Sequence, residues 1–304
     1  MLPIYINDMV NVKILSQWAN SKEMFHYFKR MLKPGDRWNN LTFDYNKKAD
    51  YYVMVNRPPD NAEYYDEKKT FVLCFEPHED FERKFKQYAT NCINNHYIKG
   101  IEWEVNRTYT QLLSEKINKT KVISTMTSSN YSMSGHKKRV NFLPYLDTIP
   151  GIDIYGFPKR SEAKYRNREK GKGYKILMKL KNYKGSIQPR RSKEPGLFPY
   201  KYTFSAENCS EKGYYTEKIL DPIVSECLCF YWGCSDLDDY VDSPAYIYLD
   251  LDKPNESLEI VKNAIKNNEW EKRIEFIRKE KKRMINEAHL FPLIEKLIAE
   301  HEIK

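Results

Sequence analysis

The sequence predicts an α/β fold of two domains, each built on a parallel sheet covered by helices. The chain has 304 residues, a length that suits two domains of ordinary size. Apolar runs of strand length alternate with stretches of helical periodicity, the order typical of parallel strands joined by crossover helices. In the second half, a unit of strand, polar loop, helix and strand occurs twice, as in nucleotide-binding folds.

In the first half, apolar strand-like runs are separated by Pro- and Gly-rich breaks. The expected elements are strands at 12–15, 51–55, 71–75 and 97–103, helices at 21–31 and 80–89, and a turn at 109–113. A polar, charged stretch at 114–120 follows, and we place the domain boundary within it. The expected domains are therefore 1–117 and 118–304, the second of which carries the C-terminal helices.

In the second half, the strands and helices alternate more regularly. The expected strands are at 121–126, 152–155, 202–206 and 228–231, and the expected helices are at 137–146, after Thr216, and at 258–265, 269–287 and 290–300. Polar loops follow the first and third of these strands. In a parallel sheet the ligand crevice lies at the carboxyl ends of the strands, where such loops would meet.

The stretch 204–233 contains the clearest candidate for an anion site. A polar loop leads to Thr216, whose hydroxyl can cap the helix that follows. The unpaired amides and the positive end of the helix dipole at such a start favour a bound anion. Glu217 and Lys218 lie in the first turn, although a Glu–Lys pair is also common on a plain solvated helix.

The residue string of this stretch resembles the donor-binding motif of the α-1,3/4-fucosyltransferase family. That motif reads FENS, then GYVTEK, then a strand ending in YWG; here the strings are AENC, GYYTEK and CFYWG. The matching positions include Asn208, Tyr214, Thr216, Glu217 and Lys218. The departures are Ala206 for Phe, Cys209 for Ser or Thr, and Tyr215 for Val.

An earlier segment resembles the same family less specifically. The strings SSN, GHKKR, FLPYL and IDIYG match a Ser-Asn loop, an arginine at a helix start and a strand ending in YG. By this match, Ser128 and Asn130 lie in the loop, and Arg139 corresponds to the arginine of the donor diphosphate. The resemblance covers roughly 121–233, and the N-terminal half matches only weakly.

The resemblance implies a GT-B arrangement, in which two Rossmann-like domains face each other across a cleft; domain 1–117 would bind the acceptor and domain 118–304 the nucleotide-sugar donor. It also implies an inverting glycosyltransferase of glycan biosynthesis, which transfers fucose from GDP-fucose to a glycan hydroxyl. The donor-binding residues would be Ser128, Asn130, Arg139, Asn208, Tyr214, Thr216, Glu217 and Lys218. Arg139 and Lys218 would hold the diphosphate, and Glu217 would accept hydrogen bonds from the ribose.

The catalytic base is expected in the N-terminal domain. Glu76 follows an apolar strand in the string FEP and resembles the glutamate of a family motif, although Pro77 replaces the usual Asn. His78 and Glu79 are rival candidates. The alternative is that Glu76 only caps the next helix.

No metal or cofactor is expected to be required. Asp236 and Asp238, and likewise Asp250 and Asp252, imitate the DxD metal motif of other glycosyltransferases. We interpret both as incidental, because Arg139 and Lys218 would already supply the positive charge that a metal would bring.

The net charge of +9 is concentrated in one segment. Residues 159–193 hold fourteen Lys or Arg against two Glu, so the rest of the chain is slightly acidic. The segment is either a solvated surface or a wall facing a nucleotide diphosphate. A nucleic-acid partner is not expected, because aromatic residues are not regularly interleaved with the basic ones.

Two other functions remain open at this point. The same fold could use a UDP-sugar such as UDP-N-acetylglucosamine or another hexose donor, or it could be a non-catalytic glycan- or nucleotide-binding module. The sequence shows no signal peptide and no apolar run long enough to span a bilayer. We therefore expect a cytoplasmic protein or the soluble catalytic domain of a longer one.

Overall fold

The computed structural model describes residues 8–59, 63–97, 102–157, 171–187 and 192–302. The chain divides into two compact units. The first contains Met1–Glu102, Arg107–Ser114 and Met284–Lys304, and the second contains Trp103–Asn106 and Glu115–Arg283. Each unit holds one sheet of mostly or entirely parallel strands together with helices. The predicted α/β fold class is confirmed.

The first unit contains a six-stranded sheet. Its strands are β1 (Val10–Ser16), β2 (Arg37–Trp38), β3 (Leu41–Thr42), β4 (Tyr51–Val55), β5 (Thr70–Cys74) and β6 (Asn94–Tyr97). They lie in the order β2-β3-β1-β4-β5-β6, and only the β2–β3 pair is antiparallel. β5 is buried along its whole length, as expected of a parallel strand covered on both faces.

The second unit contains a parallel sheet of six strands. They are β7 (Lys121–Ser128), β8 (Ile152–Phe157), β9 (Tyr183–Gly185), β10 (Tyr200–Ala206), β11 (Leu228–Trp232) and β12 (Tyr246–Tyr248). Their order is β12-β11-β10-β7-β8-β9. The chain therefore builds outward from β7 in one direction and from β10 in the other. At such a reversal the loops diverge and leave a crevice at the carboxyl ends of the two central strands.

Most α-helices of the described residues lie between these strands in the chain, and the last three follow β12. They are α1 (Ser21–Phe28), α2 (His78–Asp80), α3 (Tyr109–Ser114), α4 (Ser134–Leu146), α5 (Lys172–Leu177), α6 (Glu194–Leu197), α7 (Glu217–Val224), α8 (Pro254–Lys266), α9 (Glu269–Glu287) and α10 (Leu290–Glu302). Among them, none combines the length and the apolar character that crossing a membrane requires.

Two expected elements of the first half differ in the structure. Residues predicted as one helix at 80–89 form a π-helical turn, Phe81–Phe85, and a 3₁₀ turn, Lys86–Ala89. The buried residues Phe81, Phe85 and Ala89 recur every fourth position, and the wider π turn keeps such a row facing the core. Of the expected strand at 97–103, Tyr97 ends β6 and residues 102–103 are not in a strand; residues 98–101 lie outside the described part.

The expected turn at 109–113 is instead helix α3. Thr108 and Gln111 form the reciprocal pair of a capping box at its start. The Gln111 amide donates to the Thr108 hydroxyl at 3.2 Å, and the Thr108 amide donates to the Gln111 side chain at 2.9 Å. The sequence carried this signal as Thr-x-x-Gln, and the prediction overlooked it.

The compact units differ from the expected domains at the C-terminus. The division between Ser114 and Glu115 lies close to the expected boundary, but α10 belongs to the first unit. Phe291 packs on Phe43 with ring centroids 4.6 Å apart, and Trp38 Nε1 donates to Glu295 at 3.2 Å. The last helix is therefore part of the core of the N-terminal sheet.

Candidate functional site

Arg139 joins the carboxyl ends of the two central strands of the second sheet. Its guanidinium donates to the hydroxyl of Ser128, the last residue of β7, at 3.2 Å, and to the carbonyl of Ala206, the last residue of β10, at 3.3 Å. Its Nε is buried and has no partner among the described residues. Burial lowers the pKa of Arg139 while Glu207 and Glu217 raise it, and an arginine keeps its charge under such opposing effects.

Asn208 is held in one orientation by its neighbours. Its side-chain oxygen accepts from Arg139 at 3.2 Å and bonds to Nε2 of His136 at 3.0 Å. Because the Met133 amide donates to Nδ1 of His136 at 3.3 Å, we assign the histidine proton to Nε2. The oxygen of Asn208 is thus used within the protein, and its amide nitrogen forms no hydrogen bond within the described residues. That nitrogen can donate to a ligand oxygen.

Glu207 is a site residue that the sequence analysis missed. Its carboxylate is completely buried and accepts from the amide and the hydroxyl of Thr216, both at 2.8 Å. Tyr231 donates to it at 3.3 Å, and Lys218 Nζ lies 3.5 Å away. Burial raises the pKa of Glu207, and Lys218 opposes that rise. Glu207 therefore fixes both the start of α7 and the lysine that follows it.

Two glycines make room for Glu207. A Cβ at Gly233 would overlap the Glu207 side chain, and a Cβ at Gly135 would overlap its carbonyl oxygen. The Gly135 amide instead donates to the Asn208 carbonyl at 2.9 Å. Glu207 matches the glutamate of the FENS string, a signal that the sequence analysis did not use, although nothing in the string indicates its burial.

The start of α7 places opposite charges side by side. Thr216 is the N-cap, as predicted, and its hydroxyl accepts from the Lys218 amide. The Lys218 ammonium lies 3.1 Å from that hydroxyl and 3.1 Å from the Glu217 carboxylate. Burial opposes the charge on both residues, but Lys218 and Lys193 lower the pKa of Glu217 below its ordinary value. Glu217 and Glu207 in turn raise the pKa of Lys218, so both residues of the pair are ionised at neutral pH.

The two remaining donor candidates lie in adjoining loops. Tyr214 is buried and close enough to Arg139 to affect the pKa of its guanidinium. Asn130 lies two residues beyond the end of β7 and is half-buried. The second unit thus brings Arg139, Asn208 and the start of α7 together, with Tyr214 beside them and Asn130 at the loop that follows β7.

The DxD-like residues have other partners. Asp236 accepts from the amide of Gly213 at 2.6 Å, which fixes the loop before α7. Asp238 accepts from the Tyr246 hydroxyl at 2.6 Å, and Asp252 pairs with a lysine of α4. Asp236 and Asp238 thus both accept hydrogen bonds from other residues of the chain.

A second charged network adjoins α7. Asp221 is almost completely buried and accepts from the amides of Glu104 and Val105 at 2.6 and 3.2 Å. Lys193 Nζ lies 2.6 Å from Asp221, 2.6 Å from Glu104 and 3.6 Å from Glu217. Three carboxylates therefore share one lysine. Neither Asp221 nor Glu104 was a sequence candidate.

This network links a short segment, Trp103–Asn106, to helix α7. Trp103–Asn106 belongs to the second unit, although the chain on either side of it belongs to the first.

Lys193 lies at the end of the basic segment 159–193. Residues 158–170 and 188–191 are outside the described part, so the proposed role of that segment as a ligand-facing wall stays a prediction.

The excess of acid in this network predicts a pH effect on stability. Burial raises the pKa of Asp221 to about 6, although Lys193 opposes the rise. The folded state then holds the proton more tightly than the unfolded state, so this residue's contribution to stability is lost as pH rises from about 4 to about 6. Asp221→Asn should make the unfolding free energy vary less between about pH 4 and about pH 6, as measured by urea titration of both proteins.

The matched control for this prediction is Glu226→Gln. Glu226 is also buried and ion-paired, 2.9 Å from Lys281, but it lies outside the network. The control should keep the pH dependence of the wild type. Equal pH dependence in Asp221→Asn and the wild type would contradict the prediction.

The candidate base lies in the other unit. Glu76 is half-buried two residues after the end of β5, and its carbonyl accepts from the Cys74 thiol at 3.5 Å. Pro77, rather than Glu76, occupies the N-cap position of α2. Of the rivals, His78 is exposed on α2, and the side chain of Glu79 is outside the described part. The role of Glu76 as a base stays a prediction.

The chain was compared with known proteins. No protein-family model matches it. A protein of Acanthamoeba polyphaga mimivirus, named "putative fucosyltransferase", is 36% identical over 77 residues. The chain resembles fucosyltransferases. The matched stretch of this fucosyltransferase-like chain is 25% of its length and only 13% of the mimivirus protein.

Solved structures also resemble the fucosyltransferase-like chain. An α1,3-fucosyltransferase with GDP matches at 13% identity and a TM-score of 0.47, over 90% of this chain and 84% of that one. A glycosyltransferase from Rickettsia africae matches at 13% identity and a TM-score of 0.49, over 83% and 71%. A sucrose-phosphate synthase from Thermosynechococcus elongatus matches at 9% identity and a TM-score of 0.48, over 85% and 69%.

Proposed function

We propose that this chain is an inverting glycosyltransferase that moves a sugar from a nucleotide diphosphate to a glycan hydroxyl. One observation carries the proposal. The Arg139 guanidinium, the Lys218 ammonium and the N-terminal end of α7 converge at the carboxyl edge of one parallel sheet, where the strand order reverses. The two cations are close enough for Arg139 to affect the pKa of Lys218. Such a convergence suits a bound diphosphate.

These groups can stabilise the departing diphosphate. Arg139 and Lys218 supply charge that acts most strongly where negative charge develops, on the oxygen that leaves the sugar. The amide nitrogen of Asn208 adds a neutral donor, and Glu217 accepts from the ribose hydroxyls. Because the two cations and the helix dipole provide positive charge, the proposed reaction requires no divalent metal.

The acceptor side completes the reaction. The Glu76 carboxylate takes the proton of the acceptor hydroxyl, and the hydroxyl oxygen forms a bond to the anomeric carbon. The bond from that carbon to the phosphate oxygen breaks, and the electron pair leaves with the nucleoside diphosphate. Attack from the face opposite the leaving group inverts the anomeric centre, through a transition state resembling an oxocarbenium ion.

We propose GDP-fucose as the donor. The name of the mimivirus relative and the matched residues from Asn208 to Lys218 support this choice. The groups that hold the diphosphate do not distinguish the base or the sugar, so the choice has to be tested directly.

A panel of nucleotide sugars tests the proposal. GDP-fucose should raise the melting temperature of the protein more than GDP-mannose, UDP-N-acetylglucosamine or UDP-glucose, because a ligand stabilises the state that binds it. Released GDP should increase when a glycan acceptor is added. Stabilisation by a UDP-sugar alone would contradict GDP-fucose as the donor, and binding of a nucleotide sugar with neither hydrolysis nor transfer to a glycan would favour a non-catalytic module.

A further inference from the structure

Three loops of the first unit are tied together at one edge of its sheet. They follow the neighbouring strands β1, β4 and β5. The Gln17 amide donates to the Arg57 carbonyl at 3.1 Å, and the Arg57 amide donates to the Gln17 side chain at 3.3 Å. The Asn56 side-chain oxygen accepts from the Phe75 amide at 2.9 Å. Phe75 and Trp18 also make a ring contact, so each of the three loops at the carboxyl ends of these strands contacts the other two.

The connecting residue Asn56 is strained. It is completely buried and has a positive φ of 66°, a conformation that costs free energy for any residue except glycine. Its side-chain nitrogen is buried without a hydrogen-bond partner among the described residues. Strain and an unsatisfied donor at one residue are typical of functional sites, where the surrounding structure maintains them.

Trp18 is exposed in the first of these loops, two residues after the end of β1. Its side chain is 44% exposed, and its amide donates to the Ser16 hydroxyl at 3.1 Å. The indole and the Phe75 ring make an edge-to-face contact with centroids 5.7 Å apart at 73°, and Phe75 in turn meets Phe28 at 6.2 Å. A single exposed apolar residue is ordinary on a protein surface. This one differs because the aromatic ring that supports it immediately precedes the candidate base, Glu76.

We propose that Trp18 is the platform on which the acceptor sugar stacks. The ligand class is a pyranoside that presents a continuous face of C–H groups, because such a face packs on an indole while the hydroxyls remain at the rim. Phe75 contacts the indole and immediately precedes Glu76 in the chain, so one residue links the sugar platform to the base. The inference rests on the proposed glycosyltransferase function and supplies its acceptor side.

Kinetics with three variants test this inference. Trp18→Ala should raise the KM for the acceptor roughly tenfold through loss of the stacked contact, and Trp18→Phe, which keeps a ring, should recover part of that loss. The affinity for GDP should stay unchanged in both. The matched control is Tyr64→Ala, which removes another exposed aromatic side chain, 75% exposed, and should leave the acceptor KM unchanged. An unchanged acceptor KM in Trp18→Ala would overturn the inference.

A second measurement separates this inference from the proposed function. Saturation-transfer NMR with methyl β-galactopyranoside, methyl β-glucopyranoside and methyl N-acetyl-β-glucosaminide requires no donor. At least one glycoside should receive magnetisation from the wild-type protein. This NMR signal should be lost in Trp18→Ala and kept in Tyr64→Ala. If the wild type transfers no sugar from any donor, the proposed function fails, but this pattern still supports a sugar platform. If none of the three glycosides receives magnetisation, or if Trp18→Ala gives the same signals as the wild type, the inference that Trp18 is a sugar platform would be overturned.

Discussion

Lys218→Ala is expected to lower kcat/KM for the donor about a hundredfold. The variant removes one charge-assisted contact to the diphosphate, worth roughly 1.5–3 kcal/mol. It also leaves the carboxylates of Glu207 and Glu217, now 3.5 and 3.1 Å from the ammonium, without their shared cation. Glu217 would keep Lys193 at 3.6 Å, but the net negative charge near the site would rise and repel the incoming diphosphate. Steady-state kinetics with varied GDP-fucose, together with calorimetric titration of GDP, would measure the loss.

The matched control is Lys212→Ala. Lys212 lies in the same loop region but is exposed, so its removal should change kcat/KM little. Thermal unfolding of both variants identifies any part of the effect that comes from leaving Glu207 unpaired in the protein interior. Wild-type kinetics in Lys218→Ala would contradict the assignment of this lysine to the diphosphate.

Glu76→Gln is expected to reduce sugar transfer by about 100- to 10,000-fold, the contribution of a positioned general base. Glutamine has nearly the same shape but cannot take the acceptor proton. The donor candidates belong to the other unit, so the affinity for GDP should be retained. Transfer rates at saturating donor and acceptor, measured beside a GDP titration, test both expectations.

Glu82→Gln is the corresponding control in the first unit. Glu82 is an exposed carboxylate that pairs with Lys86 at 2.8 Å, and its loss should leave transfer unchanged. If Glu76→Gln transfers sugar at the wild-type rate, Glu76 is not the base. A parallel loss of GDP affinity would show that Glu76 acts on the donor instead.

The strands and most helices were predictable because their signals are local. Continuous apolar runs such as β5 and β11 are typical of strands covered on both faces, and capping residues such as Thr216 mark where helices begin. The π-helical turn at Phe81–Phe85 was not predictable, because a row of apolar residues every fourth position is also compatible with an α-helix. The position of α10 was missed because its contacts with Trp38 and Phe43 join distant parts of the chain.

The candidate site also contains residues that local signals predict and residues that depend on contacts between distant parts of the chain. Thr216, Glu217 and Lys218 were found because they are consecutive and match a known motif. The burial of Glu207 depends on Tyr231, which lies 24 residues away. That of Asp221 depends on the amide of Glu104, 117 residues away. Such pairings arise only when the sheet and its flanking helices assemble, so no local pattern could show them.

The central claim is that the crevice around Arg139 and Lys218 holds a nucleoside diphosphate. Calorimetric titration of the wild type with GDP, GMP and guanosine tests it most directly. The account predicts one GDP bound per chain, with an affinity at least about tenfold above that of GMP, because the second phosphate adds a charge-assisted contact. Guanosine should bind more weakly still. Equal affinities for the three compounds, or no binding of either GDP or UDP in such titrations, would contradict it.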